Sequence, residues 1–281
     1  MDVTLSKPTQ MERRRLRPWL GWGVAAAVIA VFPWLDRNPY HLHLVILFAL
    51  WLALGEAWNI LGGFAGQVSF GHAAFFGVGA YATSLLYTRQ GVPLELGALA
   101  GAVVAAAIAV PIGLVCFRLR GAYFALTMLG VAEIFRLVAI NWRSFTGGPV
   151  GVLFPPIFRN KLPFYYAVMG LAALAVAVAW WVLHSRLGFR LRAVREDQEA
   201  ASAIGIPPTW VKLQALAISA FLTGLLGRFF APYQGYIDPD IVFSTADISI
   251  GMIVVAVLGG IGTVWGPPIG AMVVTVLSEV L

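Results

Sequence analysis

Charge and cysteine are both scarce in this sequence. Only 11% of its 281 residues are charged and 60% are hydrophobic, whereas soluble domains carry about 25% charged residues. This composition excludes an ordinary soluble domain and indicates an integral membrane protein. The single cysteine, Cys116, cannot form an internal disulfide.

The sequence also lacks a nucleotide-binding lysine. Its lysines are Lys7, Lys161 and Lys212, and none stands in the G-x-x-x-x-G-K-[ST] pattern that cradles nucleotide phosphates. No nucleophile, metal-ligand cluster or pair of carboxylates has a spacing suited to catalysis. We therefore predict no catalytic residue, no metal site and no cofactor in this chain, so a partner would have to supply any energy from ATP.

What the sequence does contain is a series of apolar stretches. Each is close to the roughly 20 residues that a helix needs to cross a bilayer, and most lack the alternation that is typical of an outer-membrane barrel. We predict an all-α integral membrane protein, built as a polytopic helical bundle. The stretches cover residues 19–35, 41–61, 67–88, 94–117, 121–141, 164–184, 210–232 and 249–281.

Basic residues are concentrated on one side of the predicted bundle. With residues 1–18 in the cytoplasm, the inner loops hold most of the arginines, which predicts a multi-pass protein of a plasma or inner membrane with a cytoplasmic N-terminus. This bias accounts for the net charge of +6, so a nucleic-acid partner is not predicted. The expected organisation is a basic N-terminus over 1–18 and a transmembrane domain over 19–281. Its longer loops are expected at about 185–209 in the cytoplasm and about 142–163 outside.

The first apolar run follows a group of arginines, as a secretory signal would. No small-residue cleavage site follows it, so we predict an uncleaved first helix. At the other end, the apolar run from Pro267 to Leu281 is marginal for crossing a membrane alone.

Residues 59–86, "NILGGFAGQVSFGHAAFFGVGAYATSLL", combine glycines with polar side chains inside an apolar stretch. An unpaired polar group in hydrocarbon costs several kcal/mol, so these side chains must face protein, water or a ligand. Two interpretations stay open: hydrogen bonding between closely packed helices, or a broken helix that borders a translocation path. A second glycine-interrupted stretch, 251–270, favours the discontinuous helices found in transporters. The polar residues are Asn59, Gln67, Ser69 and His72.

Four charged residues lie well inside predicted spans, at least four residues from either end. Glu133 and Arg136 are three residues apart and can neutralise each other on one helix face, with a role in gating or solute contact as the alternative. Glu56 and Arg228 have no partner nearby in sequence, so each needs one from another helix or subunit.

Good helix formers run from Arg195 to Ile204 and stop at Gly205, after which two prolines prevent continuation. This predicts a short helix beside the membrane, with acidic residues near its start where the helix dipole favours them. A solvated connector between two spans is the alternative. Within the segment, residues 199–205 read EAA-x-x-x-G.

That pattern resembles the coupling loop of bacterial ABC importer permeases. Together with "GQVSFGHAAFFGVGAY", "RLRGAYFALTMLGVAEIFR", "SFTGGPVGV" and "AVLGGIGTVWGP", in that order, it makes the chain from about Leu44 onward closely similar to LivM-type permeases of branched-chain amino acid importers. The resemblance implies a non-enzymatic subunit that works with a homologous LivH-like permease. It also implies two ATPase subunits, which would bind ATP and Mg, and an external substrate-binding protein.

The resemblance also implies residue roles. Thr146 to Val152 would lie on the outer face where the binding protein docks. Relatives continue past the last apolar run seen here, which implies either that this chain is truncated or that a partner completes its last helix. The implied translocation pathway is Asn59, Gly62, Gly63, Gly66, Gln67, Ser69 and His72. The implied ATPase-coupling residues are Arg195, Glu196, Asp197, Glu199, Ala200, Ala201 and Gly205.

A different functional class remains open on the residues alone. An ion-coupled secondary transporter of small polar solutes would also use broken helices, with Glu133 or Glu56 as its buried acid. It would transport by itself, whereas an ABC permease would depend on its ATPases. The solute of such a permease could be a branched-chain or other amino acid, an amide or urea.

Overall fold

The computed structural model describes residues 32–34, 38–158 and 160–280. The predicted basic N-terminus and nearly all of the first apolar stretch, 19–35, lie outside these ranges. Within them the chain is almost entirely helical, which confirms the all-α class.

The helices follow one another with short connections. They are α1 (Pro39–Asn59), α2 (His72–Gln90), α3 (Leu94–Cys116), α4 (Ala122–Asn141), α5 (Arg143–Thr146), α6 (Leu162–His184), α7 (Arg186–Glu196), α8 (Gln198–Ala203), α9 (Pro208–Gln234), α10 (Pro239–Val242), α11 (Gly251–Gly259) and α12 (Gly266–Val280). Two π-helical turns, Ile60–Phe64 and Thr245–Ile250, and a 3-10 turn, Gly148–Val150, join them. Strands β1 (Val152–Leu153) and β2 (Tyr236–Ile237) form an antiparallel pair.

Six segments of the described chain are long and apolar enough to cross a membrane. They are Pro39–Phe64, Leu94–Cys116, Ala122–Asn141, Leu162–His184, Pro208–Gln234 and Pro239–Gly259. The predicted stretch 67–88 is not among these six spans, and its helix, α2, begins only at His72.

The centre of the bundle is held together by small residues. A Cβ atom on Gly79 of α2 would lie 2.1 Å from the carbonyl oxygen of Gly224 on α9, and one on Gly224 would lie 2.7 Å from Cβ of Ala105 on α3. In a membrane, such small residues let backbones approach and gain dispersion contacts that bulky side chains would prevent. Glycine at these positions therefore permits the close packing of the three helices.

The bundle has two ends. At one, which we call the strand end, β1 pairs with β2, Arg89 donates to the carbonyl oxygen of Ser144, and Lys161 donates to that of Pro39. At the other, which we call the coupling end, helices α7 and α8 lie beside the last turn of the first span, because Arg195 donates to the carbonyl oxygen of Gly63.

The stretch 251–270 is a helical hairpin, so the prediction of a second discontinuous helix is wrong. Helices α11 and α12 run antiparallel, with Gly259 against Gly266 and Gly270 against Val255. A Cβ on Gly270 would lie only 1.8 Å from the Val255 carbonyl oxygen. The glycines permit this contact between two helices and a turn over residues 260–265.

Candidate functional site

Helix α1 and its π-helical turn form one uninterrupted candidate span, and the chain loses regular helical structure before α2 begins. We call residues 60–71 the helix break. After the π turn, Gly66 adopts the left-handed conformation with φ 67°, and the Gln67 N–H donates back to the Leu61 carbonyl at 3.2 Å. This closure satisfies an open carbonyl as a glycine C-cap does. The chain then runs without helix to His72, which contacts Ser219 well inside α9. Helix α2 therefore begins inside the bundle.

Asn59 fastens the break to the turn between α11 and α12. Its buried side-chain amide donates to the Thr263 carbonyl oxygen at 2.8 Å, while its Oδ1 accepts from the Gly262 N–H at 2.8 Å. One side chain thus satisfies two backbone groups of a distant turn. In a low-dielectric interior, losing such bonds leaves both groups unpaired at a high cost.

His72 and Ser69 brace the other side of the break. Ser219 Oγ donates its proton to the Ala57 carbonyl at 2.5 Å. It must therefore accept in its 2.8 Å contact with His72, which assigns the histidine proton to Nε2. The Ser69 carbonyl accepts from Trp58 Nε1 at 2.9 Å. These side chains are buried, which fits the hydrogen-bonding interpretation. Exposed surface in the break belongs instead to Gly66 and Val68.

The predicted glycines and Gln67 complete the break. A Cβ on Gly62 would lie 2.3 Å from the Trp58 ring, and one on Gly63 would lie 1.8 Å from Asn59 Oδ1. Gln67 is buried and its Nε2 donates to the Ala65 carbonyl at 3.3 Å. The seven predicted pathway residues are therefore neighbours in space, and their role in a pathway stays a prediction.

Arg195 brings α7 into contact with the break. Its Nη1 donates to the Gly63 carbonyl at 2.7 Å, and a Cβ on Gly262 would lie 2.4 Å from the same nitrogen. Its aliphatic stem covers Gly66, where a Cβ would lie 2.9 Å from Arg195 Cγ. The family resemblance implied a role for Arg195 in coupling to the ATPase. In the structure its side chain lies between the helix break and the α11–α12 turn.

One helix was predicted over Arg195–Ile204, and its predicted start is wrong. Arg195 and Glu196 end α7, Asp197 is extended (φ −154°, ψ 118°), and α8 begins at Gln198. Asp197 is the N-cap of α8, because its carboxylate accepts from the N–H groups of Glu199 at 2.7 Å and Ala200 at 3.0 Å. The bonds from Ala200 and Glu199 hold the pKa of Asp197 below its ordinary value.

The predicted end of this helix is confirmed. Gly205 has φ 85°, and the Ile206 N–H donates back to the Ala201 carbonyl at 3.0 Å, which is typical of a glycine-terminated helix. Ala201 is buried against the bundle, whereas Glu199 and Ala200 are exposed. Helix α8 therefore presents the first part of the EAA pattern to the surroundings.

Lys212 anchors α8, and the sequence analysis missed this role. It is buried near the start of α9, donates from Nζ to Gln198 Oε1 at 2.8 Å, and lies 5.7 Å from the centre of the Phe117 ring. The position of a lysine at the start of an apolar run was the available signal. The Arg120–Glu199 ion pair, at 2.9 Å and largely exposed, adds at most about 1 kcal/mol.

Glu133 and Arg136 are paired, as their spacing predicts, and a third residue joins them. Arg136 Nη2 lies 2.6 Å from Glu133 Oε1, and its Nη1 lies 2.5 Å from Asp240 Oδ1 on α10. The side chains of Arg136, Glu133 and Asp240 are 29%, 45% and 63% exposed. A charged side chain at the centre of a membrane helix costs about 3 kcal/mol on insertion scales, so this exposure calls for water or a protein partner.

The other two intramembrane charges differ in their surroundings. Arg228 is partly buried, and Glu95 of α3 is the acidic residue whose charge acts on it. Glu56 is fully buried beside Asn59, and among the described residues neither carboxyl oxygen has a partner in hydrogen-bonding geometry.

Replacing Asn59 by alanine is expected to lower the free energy of unfolding by about 2–4 kcal/mol, because two buried backbone groups lose their partner. Thermal or denaturant unfolding of the purified protein in detergent measures this. Asn141→Ala is the matched control, since Asn141 is exposed and bonds only its own helix. Equal unfolding midpoints for the two variants would contradict the role of Asn59.

Comparisons with known proteins agree with these features. A family model described as "Branched-chain amino acid transport system / permease component" matches residues 40–281. The chain is 30% identical to the high-affinity branched-chain amino acid transport system permease protein LivM of Salmonella typhimurium, over 83% of this chain and 61% of the relative. It is 29% identical to LivM of Escherichia coli, over 84% of this chain and 62% of the relative.

A second type of permease protein is related more distantly. The high-affinity branched-chain amino acid transport system permease protein LivH of Salmonella typhimurium is 23% identical, over 83% of this chain and 82% of the relative. The chain thus spans a little over three fifths of the length of the two LivM proteins.

Proposed function

Since this chain belongs to the family of branched-chain amino acid transport permease components, we propose that it is a membrane-spanning permease subunit of an ATP-driven importer for branched-chain or related amino acids. It forms the solute pathway together with a homologous, LivH-like permease in the bacterial inner membrane. The subunit catalyses no reaction itself. ATP and Mg²⁺ are bound by two separate ATPase subunits, and an external binding protein delivers the solute.

The observation that carries this proposal is the contact of Arg195 with the helix break. Helix α7, which bears Arg195, is joined to α8 through Asp197 alone. The aliphatic stem of Arg195 covers Gly66, and its guanidinium group lies against Gly262 and bonds the Gly63 carbonyl. A displacement of α7 and α8 would therefore be transmitted directly to the helix break, which is what an ATPase-driven gate requires.

The orientation follows from the same arrangement. In the proposed importer the coupling end faces the cytoplasm, and the ATPases dock on the exposed side of α8, at Glu199 and Ala200. The side chain of Ile204, which directly follows α8, is exposed and offers the apolar contact that protein interfaces use at their core. The strand end, with Thr146 to Val152, faces outward toward the binding protein.

The pathway assignment combines buried and exposed parts of the break. Asn59, Ser69 and His72 hold the break in shape, and Gly66 and Val68 contribute its exposed surface. The alternative of an ion-coupled transporter is less well supported, because the family is one of transport-system permease components. Moreover, Glu133, one of the two acids that such a mechanism would use, is held by Arg136.

Combining Glu199→Gln with Gly205→Val is expected to lower ATP-dependent uptake by about tenfold or more, since docking energy is concentrated in a few residues. Gly205 has a left-handed backbone, so valine distorts the end of α8 while leaving the spans intact. Uptake of labelled leucine is measured in vesicles that contain the permease with its partner, the ATPases and the binding protein.

The control for this experiment is Arg120→Gln, which removes the ion-pair partner of Glu199 without changing α8 and should retain uptake. Normal uptake in the double variant would contradict the coupling role of α8.

The permease alone, in vesicles with a proton or sodium gradient, should accumulate no solute. Accumulation there would favour the secondary transporter.

A further inference from the structure

Glu133, Arg136 and Asp240, which we call the charged triad, join α4 to α10. Helix α4 has the smallest buried share among the six candidate spans, and Glu133 and Arg136 are well inside its length. Asp240 is contributed by α10, close to β2 at the strand end. The triad therefore sits in the half of the bundle nearer the strand end, with all three side chains partly exposed.

Partly exposed ions at this depth do not face lipid chains. Ionisable groups within membrane spans face the bundle interior or a water-filled cavity, and they mark solute paths. The triad has two carboxylates and one guanidinium, so it also carries one uncompensated negative charge. An exposed cluster with excess charge is suited to a solvated surface that meets a charged solute.

Tyr81 provides an independent sign of a missing ligand. Its side chain is 5% exposed, its ring stacks on Phe243 with centroids 5.8 Å apart, and its hydroxyl has no hydrogen-bond partner among the described residues. Phe243 directly follows α10, the helix that bears Asp240, so this stacking places Tyr81 on the triad's side of α2. Buried hydroxyls are nearly always bonded, so an unpaired one requires an explanation.

We propose that the charged triad and Tyr81 bind the zwitterionic head group of an α-amino acid on its way through the membrane. This inference rests on the proposed function and assigns the solute-binding surface to α4, α10 and α2. The helix break, where the Asn59 side chain is already bonded within the chain, acts as the moving element nearer the coupling end.

The donors and acceptors at the triad match such a head group. Arg136 has five N–H donors, and three are used, two toward Glu133 and one toward Asp240. One N–H on each terminal nitrogen remains for the carboxylate of the solute, in the paired geometry that guanidinium groups favour. The second oxygen of Asp240 accepts from the ammonium group. The Tyr81 hydroxyl, which is buried and unpaired among the described residues, becomes a second acceptor when the solute displaces the side chains that cover it. A solute that has only a carboxylate or only an ammonium group leaves the other half of the site without a partner.

Removal of single polar atoms tests the site in the assembled importer. Tyr81→Phe keeps the ring that stacks on Phe243, and Asp240→Asn keeps the shape of the side chain. Each is expected to lower ATP-dependent leucine uptake by about tenfold, the effect of losing one hydrogen bond to a charged group. Tyr123→Phe, which removes an exposed hydroxyl from α4, is the matched control and should transport normally.

Each result of this experiment has a distinct meaning. Wild-type kinetics in both Tyr81→Phe and Asp240→Asn, with an active wild-type importer, would overturn the inference. Absence of ATP-dependent uptake in the wild type would instead overturn the proposed function on which it rests. The amount of assembled complex is measured for every variant, so that loss of folding is recognised.

Cysteine labelling tests whether the triad borders water, independently of transport rates. Leu137→Cys places a thiol next to Arg136, and Val103→Cys places one within α3, both at exposed apolar positions. Native Cys116 is buried and should contribute little background. A charged, membrane-impermeant thiol reagent needs a solvated thiolate, so we expect labelling at residue 137 to be about tenfold faster and to slow when leucine-loaded binding protein is added. Equally slow labelling at both positions would place this face in lipid or in a protein contact, and the inference would be wrong.

Discussion

Gly63→Ala is expected to remove most of the folded protein from the membrane. A Cβ at this position would lie 1.8 Å from Asn59 Oδ1 and 2.7 Å from the Gly262 nitrogen. These two atoms bond each other at 2.8 Å, so the methyl group cannot be admitted without separating them. Overpacking combined with a lost buried hydrogen bond costs about 3 kcal/mol or more, a large share of the roughly 5–15 kcal/mol that stabilises a typical protein.

The measurement is the yield of monodisperse protein and its thermal midpoint in detergent. Gly130→Ala is the control, since it makes the same chemical change inside α4 and no described atom lies within 4 Å of the added Cβ. It should be neutral or stabilising by up to about 1 kcal/mol, because alanine favours helix over glycine. If both variants had the same yield and midpoint, the close contact between the helix break and the α11–α12 turn would be disproved.

Arg195→Gln is expected to lower ATP-dependent uptake by between about tenfold and hundredfold, the effect of losing a charge-assisted hydrogen bond. Glutamine is too short to bond the Gly63 carbonyl as Arg195 does at 2.7 Å, and it leaves the space between Gly66 and Gly262 open. Helix α8 keeps its cap at Asp197 and its bond to Lys212, so the ATPases should still bind. The variant therefore separates docking from opening of the gate.

Two measurements are needed, namely leucine uptake by the reconstituted importer and co-purification of the ATPase subunits with the permease. Arg192→Gln is the control, because Arg192 also belongs to α7 but lies over the exposed Phe189 ring. Normal uptake by Arg195→Gln would disprove transmission through this side chain. Loss of the ATPase subunits from Arg195→Gln alone would show that Arg195 acts in docking, as its family resemblance implied.

Local patterns were sufficient for several features of this protein. The apolar stretches predicted the spans because hydrocarbon accepts only segments that are apolar and hydrogen-bonded internally. The spacing of Glu133 and Arg136 predicted their ion pair, since residues three apart share a helix face. Gly205 predicted the end of α8 because the left-handed conformation is open to glycine. Each of these depends on residues that are close along the chain.

Other features depended on contacts between distant residues, and the sequence could not reveal them. Asp197 divides the predicted coupling helix because its carboxylate accepts from the N–H groups of Glu199 and Ala200, although the surrounding residues favour a continuous helix. The glycines of 251–270 were assigned to a broken helix, but their contacts lie between two antiparallel helices. Glycine patterns alone do not distinguish a bend from a close crossing.

The sequence by itself determined that this is a polytopic helical membrane protein and which segments carry its polar, charged and glycine-rich motifs, because composition and local spacing are sufficient for that. The tertiary structure alone decided which motifs meet. Arg195 bonds a residue 132 positions away, Asn59 one 203 positions away, and Arg136 one 104 positions away. Such pairings arise from the packing of whole helices, and packing is a property of the bundle and not of any one segment.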